Sequence, residues 1–234
     1  MERRRFLRTC ALAGGAVVLA ARQSSYADAA PRYYTKTRLV DIHGESIRIG
    51  ALAEDTNFVF HYPYAATPCF LLKLRRAAVA AADLRREDGA TYAWQGGVGP
   101  GRNLVAFSAI CAHKLAYPTR DVSFIRFQKD RSATSSGDVI HCCADHSVYD
   151  PAAGARVVAG PAPQPLAAII LAHDAVRDEI YAVGTLGAEQ FDAFFVKYDV
   201  RLSLEYGANH GRAPTTDTAV VRELDNYCKT TIRC

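Results

Sequence analysis

Apolar residues in this chain come in short runs, each closed by glycine, proline or a polar cluster, and that rhythm predicts strands. Thr37–Ile42 and Glu45–Ile49 flank His43-Gly44 and predict a hairpin. Further strands are predicted over Phe58–Tyr62, Cys69–Leu74, Leu104–Ala109 and Val122–Phe127, the last alternating as a strand with one wet face does. Arg156–Val158 reads as a short extended piece. Leu166–Leu171 and Glu179–Val183, on either side of the polar turn His173–Asp178, read as a closing hairpin. Asp88-Gly89 and Gly96–Gly101 punctuate loops, and Lys129–Gly137 is a polar surface loop. Three segments have a different pattern. Ala77–Arg86 is alanine-rich and predicts a short helix. Phe191, Phe194, Phe195 and Tyr198 fall at i, i+3, i+4 and i+7, which sets four rings on one helical face expected to pack on the domain. Asp217–Tyr227 predicts a last helix. The pattern is that of an all-β, antiparallel fold with a short α-helical C-terminal extension.

Composition adds little to this. The 234 residues are half apolar and 22% charged, as in an ordinary globular protein, with room for one solid domain and some extras. The N-terminus is patterned differently. Arg3-Arg4-Arg5-Phe6-Leu7-Arg8 precedes an apolar run from Cys10 to Ala21, and Ala27-Asp28-Ala29 fits a small-x-small cleavage site. The arginines before Phe6-Leu7 look like a twin-arginine export signal, so residues 1–29 are read as a signal and the mature protein as periplasmic. The apolar run is short beside the ~20 residues of a membrane span, so cleavage is expected. An uncleaved N-terminus would instead anchor the protein to the membrane. The signal carries most of the formal charge of +4, so the basic balance points to neither nucleic acid nor an anionic surface. Twin-arginine export serves folded proteins, including those that take up a cofactor first, and so points toward a metal group.

Two boxes carry the candidate chemistry. Cys111-Ala112-His113 and Cys143-Ala144-Asp145-His146 each offer one thiolate and one imidazole. The second is followed by Ser147-Val148-Tyr149-Asp150, and later by Gly160-Pro161-Ala162-Pro163-Gln164-Pro165-Leu166. Two cysteines and two histidines so grouped can hold a 2Fe–2S cluster, with sulfur on one iron and nitrogen on the other. The same set can hold zinc. Cys69 sits in an apolar run and reads as a packing residue, while Cys228 and Cys234 are spaced to close a small loop in an oxidising compartment. His43, His61, His141, His173 and His210 lack partner spacing and read as surface or structural residues. No Ser-His-Asp set, phosphate loop or paired-carboxylate arrangement stands out.

The sequence C-x-H … C-x-x-H, then S-V-Y-D and G-P-A-P-x-P-L, resembles the Rieske iron–sulfur family from about Leu104 to Leu171. The resemblance implies a Rieske-type β-sandwich or barrel over residues 30–186, with an inserted cluster-binding subdomain, and leaves 187–234 as an extension. It implies one 2Fe–2S cluster bound by Cys111 and Cys143 on one iron and by His113 and His146 on the other. Ser147 and Tyr149 match hydroxyls that donate hydrogen bonds to sulfur in this family. Gly160, Pro161 and Pro163 match its cluster-covering proline loop. The sequence departs from the respiratory pattern in two ways. The extra cysteine pair of that pattern is replaced by Ala116 and Asp145. The glycine that most members place between the histidine and the serine is missing before Ser147. A register using Cys142 would put Asp145 where histidine belongs, and Cys143 with His146 is the preferred reading. The expected function is one-electron transfer, as subunit or partner of an oxidoreductase. Donors would be a large oxidoreductase subunit or quinol, and the acceptor a cytochrome c-like protein. The alternative is a zinc-stabilised periplasmic binding module without redox activity.

Overall fold

The computed structural model describes residues 30–234, so the signal reading of residues 1–29 lies outside the described residues. The strands in chain order are β1 (Arg32–Val40), β2 (Phe58–His61), β3 (Pro68–Lys73), β4 (Ala81–Arg85), β5 (Thr91–Trp94), β6 (Leu104–Ser108), β7 (Val122–Ser123), β8 (Ile125–Gln128), β9 (Val139–Cys142), β10 (Ser147–Asp150), β11 (Arg156–Ala159), β12 (Ala168–Asp174) and β13 (Glu179–Leu186). Then come helix α1 (Phe191–Tyr206), β14 (Thr218–Val220), β15 (Arg222–Glu223), the single turn α2 (Leu224–Tyr227) and β16 (Thr230–Thr231). The fold is all-β and antiparallel-rich. An eight-stranded sheet runs β14-β1-β13-β12-β6-β3-β2-β15, and a four-stranded sheet runs β11-β10-β9-β8. The pairs β4-β5 and β16-β7 complete it.

β3 and β6 read as unbroken apolar runs because both of their faces are covered. Alternate residues go to opposite sides. Phe70, Leu72, Val105 and Phe107 join one core cluster, and Cys69, Leu71, Leu104 and Ala106 join another. The first of these clusters also takes Ile125 and Phe127 from β8, Ile140 and Cys142 from β9 and Tyr149 from β10. The small sheet is thereby packed against the large one, with Cys111 in the shared core. Cys69 is fully buried and its thiol donates to Tyr62 O at 3.1 Å, as a packing cysteine does.

Two predicted helices are replaced by strands. Ala81–Arg85 is β4, held by β5 through Ala81↔Trp94 and Leu84↔Tyr92. Burial of Leu84, Tyr92 and Trp94 overrides the helical preference of the alanines. Within 217–227, β14 pairs in parallel with β1 and β15 pairs with β2, leaving only Leu224–Tyr227 helical. The C-terminal segment is thus woven into the sheets. The aromatic stripe of α1 packs inward: Phe191, Phe194 and Phe195 join Ala66, Ile110 and Tyr117, with Tyr198 against them. The helix is kinked at Tyr198, whose φ of −110° and ψ of 17° are not helical. No helix among the described residues is long and apolar enough to cross a membrane.

Candidate metal centre

The second box is a hairpin turn. β9 ends at Cys142 and β10 starts at Ser147, and these two residues are Cα partners. The turn closes through His146 N donating to Cys142 O at 2.7 Å, with His146 at φ 60°. That left-handed conformation is one glycine favours. His146, directly before Ser147, thus closes the turn in a conformation usually left to glycine. Asp145 turns inward, its Oδ1 accepting from Ser147 N at 3.0 Å. The first box is a similar loop, with Leu115 N donating to Cys111 O at 3.0 Å, Cys111 N donating to Ala116 O at 2.8 Å, and Leu115 at φ 57°.

The two loops bring together Cys111, Cys142 and Asp145, whose ligand atoms all lie within 4.8 Å of one another. Asp145 Oδ2 is 3.4 Å from Cys111 Sγ and 3.0 Å from His113 Nδ1. Tyr149, fully buried, places its hydroxyl 3.3 Å from Cys111 Sγ while accepting the Ala112 N–H at 3.1 Å. The hydroxyl still holds its own proton, which it can direct at sulfur. Gln190, just before α1, donates from Nε2 to Ala112 O at 2.9 Å and steadies the first loop. Ala116 and Ala162 pack against the core cluster to which Cys111, Cys142 and Tyr149 belong. The proline loop is clasped to the second box at Gly160 (φ 86°), where an added Cβ would lie 2.2 Å from His146 O and 2.6 Å from Ser147 Cα. Pro161 and Pro163 are exposed on its outer side.

The group is electrostatically tight. Burial pushes the Asp145 carboxyl up, but the Ser147 amide and the Cys111 and Cys142 thiols outweigh it and hold the group below the usual carboxylate range. Hydrogen bonding from Cys142, against burial and with help from Tyr149, brings the Cys111 thiol down to about 7. The partner thiol of Cys142 is raised, by that same bond and by burial. Ser147 Oγ is buried and has no partner among the described groups. The donors brought together are two soft sulfurs, a carboxylate and an imidazole, a set that can hold a metal ion or an iron–sulfur cluster, with an unsatisfied hydroxyl beside them.

Cys143 and His146 fall outside this group. Cys143 is disulfide-bonded to Cys234, so Cys234 does not close a loop with Cys228. Cys228 is a buried free thiol that donates to Thr119 O at 2.7 Å. The His146 ring instead meets the His141 ring, centroids 5.8 Å apart. The ungapped spacing Cys142-x-x-Asp145-x-Ser147-x-Tyr149 is the sequence signal that leads to the observed group. The Cys143–Cys234 pairing, across a separation of 91 residues, leaves no such signal.

No family model matches the chain. Among solved structures it is similar to the soluble domain of the Rieske protein II from Sulfolobus acidocaldarius, at 28% identity, over 65% of this chain and 78% of that one, with a TM-score of 0.47.

Proposed function

We propose that the loops 111–116 and 142–147 hold one 2Fe–2S cluster and that the protein is an exported one-electron carrier. Cys111 and Cys142 would hold one iron, and His113 and Asp145 the other. The observation that carries this reading is the convergence of two thiols, a carboxylate and an imidazole from loops about 30 residues apart in sequence, beneath the hydroxyl of a buried tyrosine. Bound there, the cluster would supply a reversible one-electron couple.

The chain's own residues do the rest. Tyr149, anchored by the Ala112 amide, offers a proton to Cys111 sulfur and so favours the more negative, reduced state. Asp145, with its side chain 2% exposed, brings an anionic donor where the family resemblance implied a neutral one. His113 keeps its side chain 35% exposed and gives a partner the nearest approach. Gly160 lets the proline loop lie on the second box and keeps water off it. The proposed setting is the periplasm, reached by the twin-arginine route. There the protein would take one electron from an oxidoreductase subunit or quinol-oxidising complex and pass it to a cytochrome c-like acceptor.

Iron, acid-labile sulfide and EPR spectra of the purified protein test the reading. Two irons and two sulfides per chain, with a signal appearing on reduction, are expected. A colourless protein with stoichiometric zinc and no labile sulfide would replace it with a zinc-stabilised binding module.

A further inference from the structure

The second box presents another set of ligands on its other side. Side chains alternate along β9, so His141 and Cys142 leave the strand in opposite directions. Cys142 goes to the core beside Cys111, and His141 goes toward His146. His141 is fully buried, yet neither ring nitrogen has a hydrogen-bond partner among the described groups. A buried imidazole without a partner is costly and calls for an explanation. Its surroundings supply one. The ligand atoms of His141, His146 and Cys234 lie within 4.8 Å of one another. Cys143, bonded through sulfur to Cys234, brings a fourth donor to the same spot. The C-terminus is held there by β16 pairing with β7 and by Gln128 Nε2 donating to Cys234 O at 3.2 Å.

We propose that His141, Cys143, His146 and Cys234 form a redox-gated site for a thiophilic divalent cation of the Zn2+ type. In the disulfide form both sulfurs are bonded to each other and the site is closed. A dithiol reductant supplies two electrons and two protons, cleaves the S–S bond to two thiols and is itself oxidised to a disulfide. Cation binding then displaces the two thiol protons, and two thiolates and two neutral imidazoles make a four-coordinate N2S2 set whose charge balances the dication. A disulfide oxidant that takes two electrons from the two thiolates, and with two protons becomes a dithiol, would re-form the S–S bond and expel the cation. The site shares no donor with Cys111, His113, Cys142 and Asp145, so it stands whether or not those residues carry iron.

The test uses the full chain, with its cysteines either oxidised or reduced by a water-soluble phosphine, which becomes the phosphine oxide by taking oxygen from water. Each form is exposed to Zn2+, desalted, and analysed for zinc, iron and labile sulfide. The reduced form is expected to hold one more zinc per chain than the oxidised form. Zinc-edge X-ray absorption is expected to show two sulfurs at about 2.3 Å and two nitrogens at about 2.0–2.1 Å. Cys234→Ser and His141→Gln are expected to lose the additional zinc, and Cys228→Ser, at a free thiol outside both sites, to keep it. Equal zinc in the two redox forms would overturn the proposal. So would uptake that survives Cys234→Ser, or uptake that is lost in Cys228→Ser.

Discussion

His113 Nδ1 lies 3.0 Å from Asp145 Oδ2, a contact between the two boxes in which the carboxylate is buried and the imidazole half open to solvent. As a ligand of the proposed cluster, Asp145 would bring an anionic oxygen donor and make the centre more negative than an imidazole would. Replacing Asp145 with His is therefore expected to raise the reduction potential by on the order of 100 mV. A redox titration followed by EPR measures it, and an unchanged potential would remove Asp145 from the ligand set.

Tyr149 spans Ala112 N and Cys111 Sγ with one hydroxyl. Tyr149→Phe deletes a hydrogen bond to a charged acceptor, on the order of 1.5 kcal/mol, which for a one-electron couple corresponds to about 60 mV. The potential is expected to fall, because the lost bond favoured the reduced state. Voltammetry of the variant with its iron content checked gives the sign directly.

At Gly160 both the positive φ and the approach of the His146 carbonyl exclude a side chain. The obstructing atoms are backbone and cannot swing aside. Gly160→Ala is expected to cost about 2–4 kcal/mol and to open the proline loop. Thermal unfolding measures the first effect. Faster bleaching of the visible spectrum in air would report the second.

His61 is one of the buried imidazoles that make the fold sensitive to acid. Burial, with Arg120 and Arg222 nearby, lowers its imidazole to about 4, and Tyr227 OH lies 3.3 Å from Nε2. Between about pH 6.5 and 4 the unfolded chain binds a proton here that the folded chain does not. Stability is thus intact above pH 6.5 and falls as pH drops through this window, by at most about 3 kcal/mol from this group. His61→Gln is expected to flatten that limb in urea titrations run across the range. An unaltered pH profile would show that another group sets it.

Much of the architecture can be read from the sequence. Leu104–Ala109 and Cys69–Leu74 announce central strands because both faces must be apolar there. Phe191, Phe194 and Phe195 announce α1 by their spacing. The misreadings have a common cause. Ala81–Arg85 and 217–223 owe their strands to partners supplied by β5, β1 and β2, which local propensity does not record. At the second box, histidine beside serine suggested a deletion. In the backbone, His146 itself adopts the left-handed turn, and Asp145 is the side chain that turns inward toward Cys111. The meeting of Cys143 with Cys234 depends on β16 finding β7, a long-range event that spacing does not encode.

β16 also bears on the order of events during synthesis. A chain leaving the ribosome N-terminus first presents both boxes about 80 residues before the strand that braces the second of them. The brace snaps shut only when residues 230–234 emerge. A group taken up by the second box before that moment would meet an unbraced loop, and one taken up afterwards a loop already held in place.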